Sequence, residues 1–234
     1  MIAGTGQLPL AIRLADHATF GNFHVGDNQA AVDALRQLAQ QGGERALFLW
    51  GADGSGKSHL LQAACHAANG GGRRAIYLPM AQAVLLDPQV TENLESFTLV
   101  CVDDVQRCAG IEAWQHALFV LFNALVERGG AFVATARSTP AAIPRLLPDL
   151  ASRLAWGPVY QLAPLVDMDK IAVLRARAAR RGFDLPDETA QFLLNHMKRD
   201  MHSLCATLDA LDTASLAAQR RLTLPFVKSL LKRG

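Results

Sequence analysis

The stretch Gly51-Ala52-Asp53-Gly54-Ser55-Gly56-Lys57-Ser58 fits G-x-x-x-x-G-K-[ST] at every fixed position. Residue types in this order build a phosphate cradle. Gly51 and Gly56 permit a tight loop, with Gly54 and Ser55 inside it, whose backbone N–H groups converge on anionic oxygens. Lys57 adds a cation for the β- and γ-phosphates, and the Ser58 hydroxyl is a ligand for Mg²⁺. A helix opening there, with His59 in its first turn, aims its positive dipole end at the same place. A second acidic position belongs with the loop, because the apolar run Leu99-Val100-Cys101-Val102 ends in Asp103-Asp104. At such a strand end the first carboxylate holds Mg²⁺ through water and the second polarises an attacking water. The chemistry expected is binding of ATP or ADP with Mg²⁺.

These residues need a scaffold, and the flanking pattern supplies one. Ala46-Leu47-Phe48-Leu49-Trp50 is too short for a helix and is bounded by glycine, so it reads as a buried strand running into the loop. A helix from about Lys57 to Asn69 follows, stopped by Gly70-Gly71-Gly72. Three more apolar runs of strand length cover 75–78, 98–102 and 131–135. Helical spacing marks Asp27–Gln40 and Ile111–Arg128. Alternating strands and helices predict an α/β fold, a parallel sheet with helices on both faces. From about Val159 to Leu165 the texture changes and strand patterns cease. Helices are expected at about 168–181, 187–197, 201–219 and 223–232, with Pro186 and Pro225 near helix starts. The expected organisation is a flexible tail at 1–15, a nucleotide-binding α/β domain at 16–162 and a small all-helical domain at 163–234.

Composition agrees. The chain has 234 residues, half of them hydrophobic and 19% charged, which favours a packed core over disorder. No apolar run approaches the ~18 residues of a membrane span, and residues 1–15 lack a signal-peptide pattern, so a cytoplasmic protein without membrane contact is expected. Net charge is only +2. It is uneven, with 11 basic and 13 acidic residues in 1–162 against 12 and 8 in 163–234. Cys65, Cys101, Cys108 and Cys205 form no C-x-x-C pair and no zinc-type spacing, and read as buried or half-buried free thiols.

With these motifs the sequence resembles the P-loop AAA+ ATPases, and more closely their DnaA/Hda branch. Thr19-Phe20-Gly21-Asn22-Phe23-His24-Val25-Gly26-Asp27-Asn28 is similar to that branch's T-F-x-N-F-x-x-G-x-x-N segment, which implies that Val25 and Gly26 line the adenine site. Asp103-Asp104-Val105-Gln106 is similar to its D-D-[IV]-Q segment. Leu150-Ala151-Ser152-Arg153-Leu154-Ala155-Trp156-Gly157 resembles S-R-[LF]-x-W-G, which implies that Arg153 is a finger offered in trans to a neighbour's nucleotide. Gln7-Leu8-Pro9-Leu10-Ala11-Ile12 resembles the branch's clamp-binding peptide Q-L-x-L-P-L. Gln7 would bond at a pocket edge, and Leu8, Leu10 and Ile12 would fill an apolar groove. Ala11 stands where the peptide has proline, so the bound shape is less pre-organised.

Two positions depart from the branch. In Ala134-Thr135-Ala136-Arg137, at the end of the strand at 131–135, only Thr135 offers a side chain for a catalytic water or phosphate in the first sensor. The arginine of the second sensor, in the helical domain, aligns with His202 in Arg199-Asp200-Met201-His202. A neutral imidazole cannot replace a permanently charged, forked guanidinium, and Arg199, three residues earlier on the same helix face, is the alternative.

The resemblance covers about 16–232 and implies a helical lid after the α/β domain. Initiators of the branch add an N-terminal interaction domain and a C-terminal DNA-reading domain, neither of which is expected here. It implies a negative regulator of replication initiation, slow or inactive as an ATPase itself. Such a regulator binds adenine nucleotide and the polymerase III sliding clamp (beta), and stimulates hydrolysis by the ATP form of DnaA. DNA would be met indirectly, through the clamp, and homodimers are compatible with this plan. An autonomous ATPase of the DnaC/IstB helicase-loader kind is the alternative, and would need no clamp peptide. A nucleotide-sensing DNA-binding module using the basic C-terminal part ranks lowest, since that charge is modest.

Overall fold

The computed structural model describes residues 14–15, 17–41, 43–218 and 222–231, without the side chains of Gln41, His202 and Leu231. Within these residues the chain divides into two compact units. The first runs to Ala52 and from Gly56 to Ala163, and the second comprises Asp53–Ser55 and the chain from Pro164 onward.

In the first unit, helix α1 (Gln29–Gln41) precedes strand β1 (Ala46–Trp50), and helix α2 (Lys57–Gly70) begins at the end of the glycine loop. Strand β2 (Ala75–Pro79), short helix α3 (Met80–Ala83) and strand β3 (Leu99–Asp103) follow. Helix α4 (Glu112–Glu127), strand β4 (Ala131–Ala136), helix α5 (Pro148–Leu154) and strand β5 (Val159–Gln161) complete it. The five strands form one sheet in the order β2-β3-β4-β1-β5, with every neighbouring pair parallel.

Strand side chains alternate between the two faces, and the packing separates accordingly. Phe48, Leu78, Val100, Val102, Phe132 and Ala134 join one core with Trp114, Leu118 and Phe122 of α4 and Leu150 and Leu154 of α5. Leu47, Leu49, Leu99, Cys101 and Val133 join the other with Val32, Leu35 and Leu38 of α1 and Leu60, Leu61 and Ala64 of α2. A sheet buried on both faces needs continuous apolar strands, which is why the strands read as unbroken runs. Helices on both faces of a parallel sheet match the expected fold class.

Two elements were not among those expected from the sequence. Strand β5 has only three residues, none of them buried, and owes its conformation to pairing with Phe48–Trp50 of β1. Helix α5 has seven residues, opened by Pro148 in its first turn. A long-range clasp closes the unit: Asn28 accepts from the Ala163 N–H (2.7 Å) and donates to the Ala163 carbonyl (3.2 Å).

The second unit contains helices α6 (Asp167–Arg180), α7 (Asp187–His196), α8 (Met201–Ala218) and α9 (Leu224–Leu231). Leu174, Leu185, Leu194, Leu204 and Leu208 make one core and Leu193, Leu211, Phe226 and Val227 another. Asp209 on α8 receives Arg177 as a two-point fork (3.0 and 2.8 Å) and Arg181 at 2.7 Å, tying α6 to α8.

Candidate functional site

Strand β1 delivers the chain into the glycine loop, and the Gly51 N–H donates to the Ala136 carbonyl (3.2 Å), fixing the loop's start to the end of β4. Gly54 and Gly56 adopt φ of +80° and +93°, a region that costs an L side chain about 1–2 kcal/mol. At Gly56 a Cβ would also lie 2.5 Å from Cε2 of Phe23. Lys57, only 6% exposed, donates from Nζ to the Gly51 (2.7 Å) and Ala52 (2.8 Å) carbonyls, so its ammonium is folded across the loop. The Ser55 hydroxyl is buried with no hydrogen-bond partner. An orphaned hydroxyl and left-handed glycines beside an ammonium and a helix N-terminus are what a phosphate chain would satisfy. The residues present fit a nucleotide.

The segment before α1 packs on the same helix. His59 Nε2 lies 2.8 Å from the Thr19 carbonyl, and its ring sits 5.5 Å from that of Phe23. Phe23 and Val25 pack against the core shared by α1 and α2. Gly26 has φ +48° and opens the turn that leads to Asn28.

The acidic corner lies at the end of β3. Asp103 is 4% exposed, and both its oxygens are engaged. Thr135 Oγ1, on neighbouring β4, donates to Oδ1 (2.5 Å), and Tyr77 Oη, on neighbouring β2, donates to Oδ2 (2.6 Å). Both are in the range of short bonds from hydroxyls to carboxylates. Thr135 is fully buried, and its oxygen also accepts from the Asp104 N–H (2.9 Å). Its hydroxyl therefore positions both aspartates in this arrangement. Asp104 adopts a left-handed conformation (φ 57°, ψ 50°), accepts from Gln106 Nε2 (3.0 Å), and meets Arg107 at 3.6 Å. Burial first, and then the Asp103 carboxylate, push the Tyr77 phenol far above its ordinary pKa.

Tyr77, which fixes Oδ2 of Asp103, is a residue that sequence reasoning missed. A signal existed: a hydroxyl-bearing aromatic within a buried apolar strand must find a partner for its O–H. Arg107 was also missed, and nothing in the sequence alone pairs it with Asp104. Arg153 sits in the last turn of α5, partly buried, its guanidinium 5.7 Å from the ring centre of Phe119 on α4. Arg199 does not share a helix face with His202, because it precedes α8, which begins at Met201; it pairs instead with Asp167 at 3.5 Å within the second unit. The clamp-type residues Gln7, Leu8, Leu10 and Ile12 lie outside the described residues, as does the side chain of His202. Cys65, Cys101 and Cys108 are buried and Cys205 half-buried, all as free thiols. Among the described residues no His, Cys, Asp and Glu group could hold a metal by itself, and no helix is long and apolar enough to cross a membrane.

Similarity to known proteins follows the same division. Residues 14–161 match the family of the bacterial DnaA ATPase domain, and residues 167–231 match the Hda lid domain. Domain III of the Thermotoga maritima replication initiation protein DnaA is 25% identical with a TM-score of 0.83, over 95% of this chain and 98% of that one. AMPPCP-bound DnaA from Aquifex aeolicus is 23% identical with a TM-score of 0.73, over 86% of this chain and 67% of that one. The Thermotoga maritima RuvB Holliday junction branch migration motor is 13% identical with a TM-score of 0.68, over 89% of this chain and 69% of that one. The fold is that of AAA+ proteins.

Proposed function

Because this chain belongs to the family of the bacterial DnaA ATPase domain and carries an Hda-type lid, we propose that it regulates replication initiation by acting on DnaA. In this reading it holds ATP or ADP with Mg²⁺, docks on the sliding clamp through Gln7, Leu8, Leu10 and Ile12, and offers Arg153 to ATP bound by DnaA. The observation that carries it is the lid match over 167–231, which joins a DnaA-type nucleotide domain to the lid of a regulator.

Each residue has a physical task. Lys57 leaves the Gly51 and Ala52 carbonyls for the phosphates, and the Ser55 hydroxyl gains the partner it lacks. Ser58 and Asp103 hold Mg²⁺, directly and through water. The ion, when bound, withdraws charge from the β- and γ-phosphates. Asp104, already tied to Gln106 and Arg107, is a poorly available base, in keeping with slow turnover by the chain itself. Arg153, a guanidinium, suits stabilisation of charge developing on a γ-phosphate held by another protein.

The test is hydrolysis of DnaA-bound ATP with and without this protein and clamp-loaded DNA. Stimulation that needs both the protein and the loaded clamp is expected. Unchanged hydrolysis with both present refutes the regulatory reading.

A further inference from the structure

We propose that Tyr77 is a positioning residue that sets how strongly nucleotide binding by this chain depends on Mg²⁺. The inference rests on the nucleotide-binding reading above and adds a residue to it. Asp103, one of the two side chains given to the cation, meets a phenolic hydroxyl: Tyr77 Oη donates to Asp103 Oδ2 at 2.6 Å. Asp103 is almost completely buried, and an ionised carboxylate there must be compensated by donors or by a cation. Thr135 compensates Oδ1 and Tyr77 compensates Oδ2. Part of the stabilisation a cation would bring is therefore already supplied by the protein. The dependence of nucleotide affinity on Mg²⁺ is accordingly shallow.

Removing only the hydroxyl separates this role from simple packing. The Tyr77 ring is buried in the core between the sheet and α1 and α2, and phenylalanine keeps its shape. Tyr77→Phe leaves Oδ2 short of a donor, so a cation gains more by binding. A purely structural role would weaken binding equally with and without Mg²⁺. The positioning role changes the ratio.

The experiment is calorimetric titration of ADP into the full chain and into Tyr77→Phe, each with Mg²⁺ and with EDTA. A bond from a neutral donor to a buried charge predicts that the ratio of the two affinities rises about tenfold or more in the variant. An unchanged or smaller ratio overturns the inference. Absence of ADP binding by the unsubstituted chain overturns the nucleotide-binding reading itself, and the inference with it. A second measurement does not depend on the variant folding. The chain has only two tyrosines, Tyr77 and Tyr160, so fluorotyrosine labelling gives two ¹⁹F signals, assigned with Tyr160→Phe. Adding Mg²⁺ to the ADP-bound protein should move the Tyr77 signal and leave the other in place. A Tyr77 signal that ignores Mg²⁺ while the affinity responds to it overturns the inference.

Discussion

Replacing Lys57 by methionine removes an ammonium and keeps most of the stem, which isolates the charge. In the folded chain that ammonium makes hydrogen bonds of 2.7 and 2.8 Å to the Gly51 and Ala52 carbonyls. Losing a donor leaves a buried carbonyl unsatisfied at a cost of about 1–3 kcal/mol. Ala52 is exposed, so water can replace the donor there, and the cost falls mainly on the buried Gly51. Against this stands the desolvation of a cation only 6% exposed, a penalty the variant no longer bears. These nearly offset, so stability should change by about 1 kcal/mol or less, a melting shift below about 4 °C for a chain of this size. Binding has no such offset. A charge-assisted contact to phosphate is worth about 1.5–3 kcal/mol, so ADP affinity should fall roughly 10- to 100-fold. Calorimetry with ADP and Mg²⁺, alongside thermal unfolding, reads both quantities. Affinity within threefold of the parent would show that the loop does not bind phosphate. A melting loss beyond about 10 °C would show that Lys57 is a structural strut and that any binding defect follows from misfolding.

Arg153→Ala should bind nucleotide and clamp normally yet lose stimulation of DnaA-bound ATP hydrolysis; fingers of this kind in GTPases contribute roughly 10³–10⁵ in rate, so undiminished stimulation would refute the assignment. Deleting residues 1–12 should leave nucleotide affinity intact and abolish retention on immobilised clamp, and full retention would move the reading toward a loader-type ATPase. Burial raises the Cys108 thiol from 9.0 to about 12. The folded chain therefore keeps a proton that the unfolded chain gives up, and the thiol's contribution to stability should be flat below about pH 8 and decline above about pH 9. Cys101, Cys205 and Tyr77 are shifted the same way, so Cys108→Ala should lessen the alkaline slope without abolishing it, and an unaltered slope would exclude the thiol as a contributor.

Much of the fold was legible because it is written locally. Strands β1, β3 and β4 are continuous apolar runs because both faces of the sheet are covered, and glycines mark where the chain turns. The glycine loop and Asp103 were legible as candidates for the same reason, since each sits at the end of such a run. What escaped depends on partners remote in sequence. Residues 159–161 are extended only because β1 lies beside them, and no pattern of three half-exposed residues announces that. Tyr77 becomes part of the site through a carboxylate 26 positions away. Asn28 was visible as a motif position, but its partner, 135 residues downstream, was not. Helix α5 carried a readable signal, a proline in its first turn and leucines four apart at Leu150 and Leu154.

The strand order has a consequence for how the protein is made. β2, β3 and β4 are neighbours in sequence and in the sheet, so they can pair as they emerge from the ribosome. β1 is made first but pairs with β4 and β5, whose residues begin at 131 and 159. Both its edges stay bare while most of the domain is synthesised, and bare apolar edges invite aggregation. The strand that carries the phosphate loop is thus the last to be locked in, when β4 and β5 arrive and Ala163 reaches Asn28. Under the proposed nucleotide-binding function, capture by a nascent chain should begin only once this closure is made, so that the ligand reports completion of the domain.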